Sequence, residues 1–489
     1  MSRKNGGIIG PANTPVGGLF KGVAGGVWRM NDVANFVSNS QWPKVPENID
    51  NSLRFNSGSS DYLNKTFNTP TNNDICTLSF WIKKTGSSNH AIWSNGSSNA
   101  DETNFVFQES GAFEFKEDVS SSATFQLITN RLFRDSSAYY HIVIAFDTTQ
   151  GTSSNRVKLY VNGVQETSFS TETYPSQNTN VAINSNIAQY IGRRNRATDQ
   201  YFDGYLAEMV FIDGQQLDPT SFGEFDTTTG IWKPKKIGQI ASAGTNSFYL
   251  DFKDSSNVGK DASGLSNNFT VNNLTSIDQS TDTCVENFAV LNPLLGPRYS
   301  TQTFSNGNLT VAGGAGHEMH TSTIAVSKGK WYYEAHLDAI GNYPEIGVIE
   351  AKNVITNNKD INTYGYGYFF NGNVVKLGST VATYNAYTTN DTIGVALDVD
   401  NAKIYFSKNG TWQNSSNPAD GTNPAITGLL TDNLMLGVNN YGSTWSVNFG
   451  SPPYTISSGN SDANGFGNFE YSVPSGYYAL NTSNLNTYG

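Results

Sequence analysis

Paired carboxyl groups are the first chemistry that this sequence could support. Hydrolysis of a glycosidic bond needs one carboxylic acid and one carboxylate, held roughly 5–10 Å apart. The nearest cluster comprises Glu114, Glu117 and Asp118, which flanks a predicted hairpin and ends in a run of serines. Acidic side chains beside a turn are typical of a solvated surface. The residues therefore favour a protein that binds its ligand without catalysis, and a glycoside hydrolase is the alternative.

Motifs that could hold a metal ion are incomplete. His317 and His320 are separated by three positions, whereas the helical zinc motif places its histidines four positions apart with a glutamate between them. Asp398 and Asp400 could supply oxygen ligands to Ca²⁺, but they lie at a predicted turn between two apolar strands, where Asp is common for conformational reasons. The sequence therefore predicts no cofactor, and Ca²⁺ without an assigned ligand set is the alternative.

Aromatic side chains in loops are candidates for sugar binding, because an apolar ring face combined with a few polar groups suits a small polar ligand. The alternative is that these rings pack inside the protein, as aromatic residues of β-sandwiches commonly do. The chain has 28 Phe, 25 Tyr and 8 Trp, which is enough for both uses. The candidates in predicted loops are Trp93, Tyr384, Tyr387, Trp412 and Tyr441.

Charge and composition exclude several classes of function. The 489 residues include 30 basic and 41 acidic side chains, which gives a net charge of −11. A general nucleic-acid binder is excluded, because it needs a basic face that replaces counterions on the phosphates. No apolar run approaches the ~20 residues of a membrane helix, so we expect no membrane insertion. The first residues lack the apolar core of a signal peptide, from which we expect synthesis without secretory export.

Short β-rich runs must position the candidate residues. Residues 77–82 and 139–146 are rich in β-branched and aromatic side chains, and the pair Asn162-Gly163 marks a tight turn. Charged residues make up 15% of the chain, below the ~25% of an average globular protein. Such a chain has few amphipathic helices, and strands at regular spacing indicate an all-β protein built from antiparallel sandwiches.

Three segments of the first half are distinctive: VKLYVNGVQ (157–165), YIGRR (190–194) and YFDGYLAEMVF (201–211). They resemble the laminin-G/concanavalin-A-like jelly-roll superfamily. The resemblance implies a sandwich over residues 41–237 that ends near a short helix. Glycosidases of this superfamily carry the pattern Glu-x-Asp-x-x-Glu on one strand, which this sequence lacks. Laminin-G-like domains often hold Ca²⁺, which keeps the Ca²⁺ alternative open.

The second half contains the segments GKWYYE (329–334), DTIGVALDVDNAKIYFSKNGTW (391–412) and WSVNFG (445–450). These segments resemble the SPRY/B30.2 family. The resemblance implies a second sandwich over residues 299–489, which binds partners through its loops and has no catalytic role. Residues 238–298 then form a connector with partial β structure.

The first 40 residues differ in character from the rest of the chain. They contain no acidic residue before Asp32 and are rich in glycine. The few apolar residues of this segment are separated by flexible glycines and cannot form a core. We therefore expect an extended arm that becomes ordered on a partner. A flexible terminus is the alternative. The residues expected to anchor the arm are Ile8, Ile9, Pro11, Pro15, Phe20, Val27 and Trp28.

An arm followed by these two sandwiches resembles virion proteins of tailed bacteriophages, particularly marine ones. The resemblance implies a tail fibre or other appendage that assembles in the host cytoplasm, attaches to other virion proteins through its arm and binds a host-surface glycan. A capsid fibre or decoration protein without a receptor role is an alternative, as is a secreted lectin or glycoside hydrolase. The symmetry common among appendages suggests a homotrimer.

Overall fold

The computed structural model describes residues 49–86, 88–98, 101–195, 200–237, 243–294, 302–314, 318–354 and 360–489. The arm expected over residues 1–40 lies outside the described residues. The remainder confirms the expected fold class, because antiparallel sheets form two sandwiches in tandem and the helices are short.

Two eight-stranded sheets build the first sandwich. The strands before residue 290 are β1 (Ser52–Phe55), β2 (Tyr62–Thr66), β3 (Ile75–Lys84), β4 (His90–Ser98), β5 (Asp101–Phe107), β6 (Ala112–Val119), β7 (Ser122–Leu132), β8 (Tyr140–Asp147), β9 (Val157–Val161), β10 (Val164–Glu166), β11 (Phe169–Thr173), β12 (Ala188–Ile191), β13 (Gly204–Asp213), β14 (Gly223–Phe225), β15 (Trp232–Pro234), β16 (Phe248–Leu250), β17 (Thr270–Asn272) and β18 (Gln279–Ser280). Sheet I has the order β10-β9-β8-β3-β13-β1-β18, with β16 beside β13, and sheet II has the order β11-β7-β6-β5-β4-β12-β2-β17.

The core of this sandwich follows from strand alternation. Phe80 of sheet I and Phe105, Phe115 and Leu127 of sheet II are completely or almost completely buried in one cluster. Side chains at neighbouring positions on the same strands point to the opposite face, because successive residues of a strand alternate. The outer face of sheet II is therefore formed by the polar residues between these apolar ones.

Residues 238–298, expected to be a connector with partial β structure, contribute strands to the first sandwich. β16 pairs with β13, β17 with β2, and β18 with β1. Phe248 and Phe269 are buried in the same core as Phe80. Both sheets therefore include strands from this stretch.

The second sandwich contains a nine-stranded and a six-stranded sheet. Its strands are β19 (Thr303–Ser305), β20 (Thr310–Ala312), β21 (Glu318–Val326), β22 (Lys330–Ala339), β23 (Glu345–Glu350), β24 (Gly365–Phe369), β25 (Asn373–Lys376), β26 (Ser379–Thr383), β27 (Thr392–Asp398), β28 (Lys403–Lys408), β29 (Thr411–Trp412), β30 (Ile426–Thr427), β31 (Leu434–Asn440), β32 (Thr444–Asn448) and β33 (Tyr478–Ala479), and its helices are α1 (Ala351–Val354), α2 (Ile361–Tyr364) and α3 (Thr482–Tyr488). Sheet III has the order β19-β20-β32-β22-β27-β28-β29, with β30 beside β28 and β33 beside β22, and sheet IV has the order β21-β31-β23-β24-β25-β26.

The core of the second sandwich extends to residues that precede position 299. Ala289, Val290 and Leu291 are buried in the same cluster as Trp331 of β22. The amide of Ala289 donates to the carbonyl of Leu480 at 3.0 Å, and the amide of Thr323 donates to the carbonyl of Val290 at 2.7 Å. A short segment before the expected boundary therefore belongs to this sandwich.

Buried polar contacts join the two sandwiches. Lys83 of β3 is completely buried, and its ammonium donates to Asp282 Oδ2 at 2.7 Å, to Asn287 Oδ1 at 2.8 Å and to the Phe288 carbonyl at 3.0 Å. Arg54 of β1, also buried, donates to the carbonyl of Pro452 at 2.9 Å. These bonds fix the point at which the chain leaves the first sandwich and enters the second.

Candidate functional site

A row of polar side chains crosses the outer face of sheet II. Tyr190 of β12 pairs with Ser94 of β4, which pairs with Asn104 of β5. Asn104 pairs with Lys116 of β6, and Lys116 pairs with Gln126 of β7. Neighbouring strands lie about 4.8 Å apart, so this row spans roughly 19 Å. An extended ligand could lie along it in contact with five strands.

A cavity of about 310 Å³ opens beside this row. Its wall is polar, and it includes Asn104, Gln108, Glu114, Lys116, Arg194 and Gln200. The Glu114 carboxylate accepts a hydrogen bond from Gln108 Nε2 at 2.9 Å and another from Gln126 Nε2 at 2.7 Å. This network holds the two glutamine side chains in place without a ligand.

Two amide oxygens in the cavity wall have no hydrogen-bond partner among the described residues. They are Oδ1 of Asn104 and Oε1 of Gln200. A buried acceptor without a donor is unfavourable, so a ligand hydroxyl that donates to it stabilises the complex. The basic groups nearby are paired instead, because Arg194 contacts Glu102 at 2.5 Å and Lys116 contacts Asp118 at 2.9 Å. The groups available to a ligand are therefore mainly neutral amides.

An aromatic cluster surrounds Arg193 at the Tyr190 end of the row. The guanidinium carbon of Arg193 lies 4.6 Å from the ring centre of Tyr62, 5.1 Å from that of Tyr190 and 5.8 Å from that of Tyr201. The guanidinium also donates to the backbone carbonyls of the next two residues in the chain, each at 3.1 Å. Planar groups held in this way offer flat surfaces for stacking.

The carboxylates singled out in the sequence are divided between the two faces of β6. Glu114 lies on the outer face of β6, whereas Glu117 is buried on the inner side. Glu117 accepts hydrogen bonds from the Ala182 amide at 2.7 Å and from Thr103 Oγ1 at 3.3 Å. Burial raises the pKa of Glu117. Because the two groups are on opposite faces of the strand, they do not flank a common substrate position.

Two of the five aromatic candidates are buried. The structure corrects the expected loop position of Trp93, which lies in β4, is completely buried and donates from Nε1 to Gln189 Oε1 at 3.1 Å. Tyr387 is almost completely buried in the second core, and its hydroxyl donates to the carbonyl of Tyr368 at 2.8 Å. Neither ring presents a face to solvent.

The other three aromatic candidates are less deeply buried. Tyr384 packs its edge on Tyr368 with ring centres 5.9 Å apart. Trp412, expected in a loop, ends the short strand β29 and packs on Tyr332 at 6.4 Å. Tyr441 follows β31 and stacks on Tyr343, with ring centres 6.1 Å apart and an interplanar angle of 5°. Because Tyr343 is 47% exposed, this pair forms an aromatic surface at one end of the second sandwich.

The possible metal motifs of the sequence have other roles where the structure describes them. Asp398 accepts from the Asn401 amide at 3.0 Å and contacts Lys330 Nζ at 3.0 Å, as expected for a turn residue. His320 lies in β21 with its ring edge on Phe304, and His317 lies outside the described residues. In the described part of the chain, no three His, Cys, Asp or Glu side chains form a group that could hold a metal ion. That part also contains no helix long and apolar enough to cross a membrane.

Sequence comparison identifies two domains in this chain. Residues 57–217 match the profile of the concanavalin A-like lectin/glucanases superfamily, and residues 330–419 match that of the SPRY domain. The chain therefore carries a concanavalin A-like domain followed by a SPRY domain, as the motifs indicated. A search of curated proteins found no match.

The solved structures that resemble parts of this chain are distant in sequence. The SPRY domain of human HERC1 is 19% identical, with 30% of this chain and 92% of that chain covered and a TM-score of 0.25. The native heptameric SAP-like pentraxin from Limulus polyphemus is 17% identical, with 35% and 79% covered and a TM-score of 0.27. Domains LG4-5 of the mouse laminin α1 chain are 12% identical, with 82% and 88% covered and a TM-score of 0.29.

Apart from Glu114, the sequence did not single out the side chains of the sheet II surface as site residues. Asn104 and Lys116 alternate with Phe105 and Phe115, and this period of two was the available signal. Tyr62 is far in sequence from Arg193 and Tyr190, and the pairing of β2 with β12 brings them together.

Proposed function

We propose that the protein is a non-catalytic virion appendage of a tailed phage, whose first sandwich binds a host-surface glycan on the outer face of sheet II. The observation that carries the binding proposal is the polar cavity with two unpartnered amide oxygens beside the Arg193 cluster. The match of this domain to a superfamily of lectins and glucanases supports it.

The chemistry of the surface suits a neutral sugar chain. The amide oxygens of Asn104 and Gln200 accept hydrogen bonds from hydroxyl groups, and Glu114 adds charge-assisted acceptors. Tyr190 and Tyr62 offer ring faces on which the apolar side of a sugar can pack. The polar side chains of the row lie on adjacent strands, so they would contact and orient successive sugar units of the ligand.

Binding without catalysis is part of this proposal. A glycosidase needs two carboxyl groups on either side of the scissile bond. Glu114 and Glu117, two of the three carboxylates in the sequence cluster, lie on opposite faces of β6. A secreted lectin would also bind without catalysis, whereas a glycoside hydrolase would not.

The virion assignment depends on the N-terminal arm. Its glycine-rich sequence, without an acidic residue before Asp32, resembles the anchoring segment of phage appendage proteins, and Trp28 would contribute most to attachment. Other virion proteins are the proposed partners, and a homotrimer is the proposed assembly. A capsid fibre or decoration protein would use the same arm but would have no receptor role.

Screening on a glycan array tests the binding proposal. We expect selective binding by the full chain, and Asn104→Ala should weaken the best interaction about fivefold, because one hydrogen bond contributes about 1 kcal/mol. Asn180→Ala is the matched control, since Asn180 is exposed and does not line the cavity. Equal loss in both variants, or selective binding that survives Asn104→Ala unchanged, contradicts the proposed site.

Deletion of residues 1–40 tests the virion assignment. We expect a truncated protein that folds and binds glycan but is absent from purified particles. Trp28→Ala should reduce incorporation more than Lys21→Ala, because burial of an indole contributes more than an exposed charge. Normal copy number of the truncated protein in particles would show that the arm is not the anchor.

A further inference from the structure

A second cavity lies between the two sandwiches. Its volume is about 410 Å³, within the range of small-molecule sites. The first sandwich contributes Lys84, Phe133 and Ser136 to its wall, and the second contributes Phe304 and Asn308. We call this cavity the inter-sandwich cleft. The exposed Glu109 lies at the edge of the cleft and is the single residue that also lines the cavity on sheet II.

Hydrogen bonds beside the cleft hold its walls together. The Tyr205 hydroxyl donates to the Gly307 carbonyl at 3.1 Å, next to Asn308 in sequence. Asn56 Nδ2 donates to Asn306 Oδ1 at 2.9 Å. Lys83, which precedes Lys84, makes a buried ion pair with Asp282. The shape of the cleft is therefore set before a ligand arrives.

Two donors in the cleft wall have no hydrogen-bond partner among the described residues. Lys84 is only 7% exposed and has no hydrogen bond or ion pair with any described residue. Burial lowers the pKa of the Lys84 ammonium to about 8. Asn308 is 1% exposed, and its Nδ2 has no hydrogen-bond partner among the described residues. Both groups donate hydrogen bonds, so the cleft has an unmet requirement for an acceptor.

The other charged and titratable groups of the cleft are occupied or lie at its edge. The Asp203 carboxylate accepts from the amide of Ser57 at 2.7 Å and from its hydroxyl at 2.6 Å. Glu109 and Arg134 are exposed, and Arg134 donates to a backbone carbonyl at 3.3 Å. Burial lowers the pKa of neighbouring His90, which favours its neutral form. The buried lysine of the cleft is therefore the cation that a ligand can neutralise.

We propose that the inter-sandwich cleft binds a sugar acid, a ring that carries a carboxylate, with Lys84 and Asn308 as donors to the acidic group. The rings of Phe133 and Phe304 line the same cavity and offer apolar surface to the sugar ring. The sugar component of this inference rests on the proposed glycan-binding function, whereas the requirement for an anionic acceptor rests on the cleft alone.

Binding and protonation of Lys84 are linked. A carboxylate beside the ammonium favours the charged form and raises the pKa of Lys84 from its value of about 8 in the empty cleft. Affinity should be constant below pH 7 and should fall as the pH rises through 8 and above, because the free protein loses the proton that the complex retains.

Calorimetry with the full chain tests the proposal with sodium glucuronate, glucose and sodium acetate as probes. We expect saturable binding of glucuronate and at least tenfold weaker binding of glucose and acetate. Lys84→Met should weaken glucuronate binding at least tenfold, whereas Lys236→Met, at an exposed lysine outside the cleft, should not. Acetate binding as tight as glucuronate would overturn the sugar component, and absence of glucuronate binding would overturn the proposal.

Chemical labelling provides a test that needs no variant. Acetylation of Lys84 at pH 8, followed by mass spectrometry, should slow at least tenfold in saturating glucuronate and remain unchanged in glucose. Labelling that glucuronate does not slow would contradict the site. A neutral glycan that still binds wild-type protein and loses affinity in Asn104→Ala would leave the sheet II proposal intact, so failure of the cleft and failure of the proposed function are distinguishable.

Discussion

Replacement of Lys83 by methionine should weaken the contact between the two sandwiches and destabilise the protein. Lys83 uses its three ammonium protons on Asp282, Asn287 and the Phe288 carbonyl, and both members of the ion pair are completely buried. Methionine keeps much of the side-chain volume but supplies no charge and no donor. Asp282 is then left as a buried acid without its cation.

The expected cost is large because the defect is buried. Removal of one partner of a buried ion pair typically destabilises a protein by about 3–5 kcal/mol. Burial already raises the pKa of Asp282 while the ammonium of Lys83 opposes that rise, so loss of the ammonium favours protonation of the acid and limits the cost. We therefore expect a loss near the lower end, about 3 kcal/mol.

Urea unfolding followed by far-UV circular dichroism measures this loss. The double variant Lys83→Met with Asp282→Asn should recover part of it, because the buried charge is removed as well. Lys260→Met is the matched control, since Lys260 contacts Asp254 at 2.8 Å on an exposed surface, and its unfolding curve should not shift measurably. A Lys83→Met curve that coincides with that of the control would refute the reasoning.

Two further predictions concern the cores of the sandwiches. His141 is buried, and its Nδ1 accepts a hydrogen bond from Trp232 Nε1 at 3.0 Å. Burial lowers the pKa of His141 to about 3. Up to about 5 kcal/mol of stability that is present above pH 6.5 should therefore be lost as the pH falls towards 3. Urea unfolding at pH 7 and pH 4 measures this loss, and equal midpoints for wild type and His141→Gln at both pH values would contradict it. A fragment of residues 299–489 should be less stable than one of residues 286–489, because it lacks buried Ala289, Val290 and Leu291. Equal melting temperatures of the two fragments would show that this segment contributes nothing to the second core.

The features of the fold that depend on residues close in sequence were predictable. Asn162-Gly163 was interpreted as a tight turn, and the two residues have positive φ values of 47° and 79°. They connect β9 to β10, as expected for a tight turn. Such features depend only on residues close in sequence.

Features that depend on distant pairing were not predictable. The contributions of β16, β17 and β18 to the first sandwich require strands that are far apart in the chain. Trp93 was expected in a loop, yet it lies in β4, where the neighbouring Ser94 and Asn95 are buried. Their side chains bond to the Arg193 carbonyl at 2.8 Å and to Gln189 Oε1 at 2.9 Å, contacts that only the tertiary structure supplies.

The sharpest test of the sheet II site is a crystal structure of the full chain with the neutral glycan that binds best on the array. We predict that the sugar lies on the outer face of sheet II, with hydroxyl groups within hydrogen-bond distance of Asn104 Oδ1 and Gln200 Oε1 and a ring close to Tyr190. A glycan bound instead at Tyr343 and Tyr441 of the second sandwich, with the sheet II cavity empty, would contradict it.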